Sequence, residues 1–267
     1  MGRAFEEIVR KAEEWKKEIC VCGNECYAPN LTPLIFPPLR QKILLISESP
    51  YNFPRKKGDP HVEEWGECKS LGEFLEKDLL RNLRDRATKE DKWRAPSDIF
   101  DFLYLTFRPV FSSSVEEEDV AKLLRCVYWT HAAKRSLRNF KGYEKYKAAR
   151  KCRAATVREL AEISPEKIVV ASSVALKVLF GKTYGQSSKK QGEKLEKRGE
   201  LLTLGELASE ASLRDLGLQD LRDCEVAVFP NPSRANGGRK SRFYIHEREV
   251  AEKVMGRIQQ ELKSSCG

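Results

Sequence analysis

Three apolar runs in this chain stop at residues that can do hydrolytic chemistry. KILLIS, residues 42–47, runs into SESPY, made of Ser47, Glu48, Ser49, Pro50 and Tyr51. CVYWT, 126–130, ends at Thr130 and leads into His131 and Lys134. EVAVF, 225–229, leads into Asn231, Pro232 and Ser233. A carboxylate can orient a water or stabilise developing positive charge, and an imidazole or an amide can hydrogen-bond a polar substrate. Taken singly, Glu48 reads equally as a helix cap, His131 as a satisfied core histidine, and Asn231-Pro232 as a turn. Together, at the ends of apolar runs in a basic protein, they point to one site.

Two further groups stand out. The loop after the last run, NPSRANGGRK with Arg242 beyond it, sets Ser233, Arg234, Asn236, Arg239, Lys240 and Arg242 around Gly237 and Gly238. Glycines let a backbone approach a phosphate closely, and the cations neutralise it. Near the N-terminus ICVCGNEC crowds Cys20, Cys22 and Cys26 among eight cysteines in all. These read as scattered buried thiols, as disulfides of a hyperthermophile, or as part of a metal or iron–sulfur site completed from far along the chain.

The elements that must carry these residues alternate. Residues 4–19 place Phe5, Ile8, Val9, Ala12, Trp15 and Ile19 at helical spacing. KILLIS and CVYWT read as buried strands, with a helix over 70–83 capped by Ser70 between them. A long helix follows over 143–163, then the strand KIVVAS at 167–172, then a short helix ending at Gly181. EVAVF is a fourth strand, and a closing amphipathic helix runs from 246. Strand and helix in alternation predict an α/β fold of three layers, α/β/α, with a central four-stranded parallel sheet in one domain spanning 1–267. In such sheets ligands bind off the carboxyl ends of the strands, where the residues above fall. The basic, Gly-punctuated stretch 181–200 reads as an insertion.

Lys and Arg number 49 against 40 Asp and Glu, a net +9 that favours a polyanionic partner. No apolar run is long enough for a membrane span and the N-terminus lacks a signal-peptide core, so a cytoplasmic protein is expected. No GxxxxGK[ST] phosphate loop follows any strand, which disfavours a nucleotide-hydrolysing α/β enzyme.

From about residue 18 to 262 the chain resembles the uracil-DNA glycosylase superfamily, most closely its iron–sulfur branches. SESPY stands where those enzymes carry Gly-Glu-Gly/Ala-Pro-Gly or Gly-Gln-Asp-Pro-Tyr. NPSRAN stands at their His-Pro-Ser or Asn-Pro-Ser motif. THAAKR, Cys152 and PEKIVVASSVALKVLFG follow the order of their Thr-Asn-x-x-Lys-Cys motif, later cysteine, and Val-Ile-Val-Ala strand.

The resemblance implies a monomeric DNA glycosylase, nucleoid-associated, that starts base excision repair on DNA containing a damaged base. Glu48 would position or activate water, Asn231 would donate to the base's carbonyl oxygen, and Ser47, Ser49, Pro50, Tyr51 and Thr130 would line the base pocket. The 233–242 loop and Lys134 would contact DNA. A [4Fe–4S] cluster on Cys20, Cys22, Cys26 and Cys152 is also implied. Ser49 replaces the catalytic Asp of the classical enzymes, and Arg135 stands at the family's third cluster cysteine. His131 replaces the Asn that reads uracil, which extends the expected substrates to hypoxanthine. A catalytically silent nucleic-acid-binding relative is the alternative from another class.

Overall fold

The computed structural model describes residues 2–19, 41–49, 71–88, 95–134, 137, 140–182, 201–232 and 248–265. The parallel strands form because short β-branched and apolar runs can be buried on both faces at once. These are β1 (Ile43–Ser47), β2 (Val127–His131), β3 (Lys167–Val170) and β5 (Glu225–Val228). A two-residue strand, β4 (Leu202–Thr203), pairs antiparallel with β5 and completes a five-stranded sheet of order β2-β1-β3-β5-β4. The expected four parallel strands are present, and the edge strand is an addition. Two residues carry too little pattern to announce a strand.

Strand parity sorts the core into two layers. Ile43, Leu45, Val127, Trp129, Val169 and Ala227 face one layer, filled by α1 (Arg3–Ile19), α4 (Ile99–Phe107), α5 (Glu117–Cys126) and the final helix, α11 (Arg248–Ser265). The same layer takes a continuous helical stretch whose α2 (Leu71–Glu73) and α3 (Arg81–Ala87) flank a π-helical segment, Phe74–Leu80. Leu44, Ile46, Tyr128, Ile168, Val170 and Val226 face the other layer. It holds α7 (Arg153–Ile163), α8 (Ser173–Phe180), α9 (Leu204–Leu207) and α10 (Glu210–Leu216). The fold is therefore α/β, a mostly parallel sheet flanked by helices.

The long helix expected over 143–163 is two helices, α6 (Gly142–Arg150) and α7. Ala148 and Ala149 of α6 pack with Val174 and Val178 of α8, whereas Leu160 and Ile163 of α7 pack beneath the sheet. One straight helix cannot serve both surfaces, so the chain turns at Lys151 and Cys152. Cys126 is the last residue of α5 and not part of β2. Helix α8 ends as expected on Gly181, whose φ of 70° is the left-handed conformation that glycine adopts without strain. Ser172 caps its start by accepting from the Val174 and Ala175 amides. The insertion expected at 181–200 and the cap expected at Ser70 lie almost wholly outside the described residues. No helix among the described residues is long and apolar enough to cross a membrane.

Candidate active site

The β1–β2 ladder continues past the ends of both strands. The Ala132 N–H donates to the Ser47 carbonyl at 2.9 Å, and the Ala133 N–H to the Glu48 carbonyl at 3.0 Å. Glu48 thus starts from a pinned backbone just beyond the sheet. From β5, the Phe229 N–H donates to the Val170 carbonyl at 2.7 Å, which aims the following Pro230 and Asn231 over the same edge.

At that edge the Asn231 amide Nδ2 donates to Glu48 Oε2 at 2.9 Å. The other carboxylate oxygen takes a charge-assisted hydrogen bond from Lys145 Nζ. A carboxylate offers about four lone-pair sites, so one hydrogen bond to each oxygen leaves acceptor capacity for a water. The Glu48 side chain keeps 14% of its surface exposed, so a water or a sugar can reach it. Asn231 spends one amide hydrogen here and carries a second. Lys145 was not among the residues expected from the sequence. It sits on α6, 97 positions from Glu48, and nothing local in KGYEKYK distinguishes it from a solvated lysine.

His131 ends β2 in register with Ser47, and its Nδ1 lies 2.5 Å from Ser47 Oγ. Trp129 Nε1–H donates to the same hydroxyl at 3.0 Å, and the Trp129 and His131 rings meet edge-on with centroids 5.6 Å apart. Ser47 therefore orients the imidazole, which is only 4% exposed. Ser49 accepts from the Leu137 amide at 3.4 Å, in the turn that follows.

Thr130 and Lys134 lie elsewhere. Strand parity sends Thr130 to the face opposite His131, where its hydroxyl donates to Glu159 Oε2 at 2.7 Å. Lys134 Nζ pairs with the same carboxylate, and both side chains are 0% exposed. Tyr128 adds a hydroxyl at 3.2 Å and itself accepts from the Trp15 indole at 2.8 Å. Burial pulls the Lys134 ammonium below its ordinary value, with Glu159 opposing. The expectations that Thr130 lines a base pocket and that Lys134 reaches a phosphate are corrected: both belong to a buried polar cluster under the other layer. The alternation in YWTH was the signal that separates them.

Cys152 is a buried thiol at the head of α7 and forms no disulfide. Cys126 is disulfide-bonded, so the disulfide reading of the cysteines has one instance. Cys224 is also free, and its thiol is pushed up to about 12, chiefly by burial and further by Glu225, which leaves it unreactive. Among the described residues no group of three His, Cys, Asp or Glu could hold a metal. The remaining expected site residues, Cys20, Cys22, Cys26, Pro50, Tyr51 and the 233–242 loop, lie outside the described residues. No protein-family model matches the chain, and no curated protein matches it.

Proposed function

We propose that this protein is a DNA glycosylase that hydrolyses the N-glycosidic bond of a deaminated base, uracil or hypoxanthine, in DNA. The observation that supports this reading is Glu48, anchored between Asn231 and Lys145 at the carboxyl edge of a parallel sheet, one residue past the Ser47 that pairs with His131. In the reaction the bond from C1′ to the base nitrogen breaks, and its electron pair leaves with the base. The sugar gains oxocarbenium character, which the Glu48 carboxylate opposes electrostatically. A water hydrogen-bonded to Glu48 adds to C1′, and its proton passes to the carboxylate and on to the departed base. In this reading Asn231 and His131 would hydrogen-bond the base. The net +9 charge supplies the attraction to a polyanion.

Oligonucleotides bearing uracil, hypoxanthine or xanthine, assayed for alkali-sensitive abasic sites at excess protein, test the proposal. Excision of any one supports it. If none is cut while the DNA is still bound, the protein is a silent binding relative. His131→Asn restores an amide with a donor and an acceptor, and is expected to raise the ratio of uracil to hypoxanthine excision by at least about tenfold, the scale of one bidentate base contact. An unchanged ratio removes His131 from base reading.

We also propose a [4Fe–4S] cluster on Cys20, Cys22, Cys26 and Cys152. Cys152, the ligand within the described residues, is outside any disulfide, as a ligand thiol must be. When bound, the cluster would join the N-terminal cysteines to the head of α7. Protein purified without oxygen is expected to be brown and to contain iron. Colourless, metal-free protein with a disulfide mapped among these cysteines overturns this assignment.

A further inference from the structure

Helix α6 has two distinct faces. Its inner side delivers Lys145 to Glu48 and packs Ala148 and Ala149 against α8. Its outer side carries Tyr143, Lys147, Arg150 and Lys151, spaced i, i+4, i+7 and i+8, which is one stripe of a helix. Tyr143 is 72% exposed, and among the described residues it is the large apolar side chain left out in water. Lys141, just before the helix, is exposed as well.

What sets this stripe apart is an exposed ring set beside several cations that have no carboxylate partner. Some cations on other exposed helical faces are paired one turn away: Arg10 with Glu14, Lys11 with Glu7, Lys77 with Glu73, and Arg248 with Glu252. Arg158, Arg214 and Lys253 are unpaired but have no exposed large apolar side chain beside them among the described residues. Among the described residues Lys141, Lys147, Arg150 and Lys151 make no such pair, and Glu144, the one acid of the helix, makes none with them. A solvated face would gain from i,i+4 pairing at no cost to the core. Cations kept unpaired beside an exposed ring suit an anion that also presents flat apolar surfaces.

We propose that this face of α6 binds a single strand of DNA, with Tyr143 stacking on a base and Lys147, Arg150 and Lys151 meeting its phosphates. A duplex hides its base faces and leaves Tyr143 nothing to stack on; a single strand offers them, and stacking on an aromatic tolerates any base. The stripe is about 12 Å long at 1.5 Å per residue, room for about three nucleotides at duplex spacing. The inference rests on the nucleic-acid side of the proposed function. It extends that reading to a surface joined to the Glu48 edge through the helix that supplies Lys145.

The test is equilibrium binding of the full chain to an undamaged, labelled single-stranded oligonucleotide, to the same sequence as a duplex, and to phosphatidylserine–phosphatidylcholine vesicles. Tyr143→Ala is expected to weaken single-strand binding about 5- to 100-fold with little effect on the duplex, and Tyr143→Phe to restore it. Lys147→Gln, Arg150→Gln and Lys151→Gln together should lower the slope of log affinity against log salt by about 2, at about 0.7 per lost contact. These positions are exposed, so unchanged thermal midpoints exclude misfolding. Single-strand affinity and salt slope that match the parent overturn the proposal, as does loss confined to the vesicles, which would make the face a membrane surface. No excision is needed for this readout. A parent that binds through α6 and cuts nothing overturns the glycosylase and leaves this surface standing.

Discussion

Glu48→Gln is expected to cut single-turnover excision by about 10²- to 10⁴-fold while DNA binding is retained. Gln keeps the length of the side chain, and its amide oxygen can still accept from Asn231 Nδ2, now 2.9 Å from the carboxylate. What it loses is the charge and the basicity. Its amide nitrogen must then face Lys145 Nζ, donor against donor, and Lys145, 28% exposed, can turn to water. The fold should feel little of this, because a partly exposed ion pair contributes on the order of 0–1 kcal/mol. The variant therefore separates chemistry from structure. A variant that excises as fast as the parent removes Glu48 from the catalytic role.

Lys134→Met is expected to destabilise the protein by about 3–5 kcal/mol without touching the site. The cost is not the lost attraction but the charge left behind, since Glu159 is 0% exposed and would stay in the core without its ammonium. Thr130 and Tyr128 donate hydroxyl hydrogens to that carboxylate, but neither carries charge. Adding Glu159→Gln, which removes the buried charge, should recover much of the loss. Denaturant melts of the parent and of both variants measure this. A deficit below about 1 kcal/mol at neutral pH, the range of surface pairs, would mean that water reaches the cluster.

Much of the scaffold was legible because the signals are local. Apolar runs of four to five residues, a glycine needed at the left-handed end of α8, and the periodic face of α11 (Ala251, Val254, Met255, Ile258, Leu262) all report their own structure. The order of strands and helices implied parallel crossovers, and the rule for ligand sites in such sheets placed Glu48, His131 and Asn231 at one edge. Less visible were the short strand β4, whose two residues pair only because β5 offers an edge, and the break between α6 and α7, made by two different packing surfaces.

The candidate site divides the same way. Chain order alone determined that a carboxylate, an imidazole and an amide follow parallel strands, because strand direction is set by the crossovers. It equally determined, through the two-residue period, that Thr130 must face away from His131. Only the tertiary structure decided that Lys145 closes on Glu48 and that Lys134 closes on Glu159. Both are lysines in polar stretches, and one is a partner of the candidate carboxylate while the other is sealed in the core. A lysine carries a long flexible stem and one charge, so its sequence neighbours say nothing of which carboxylate it will meet. That is settled by where the helix lands on the sheet, a long-range packing outcome no window of sequence contains.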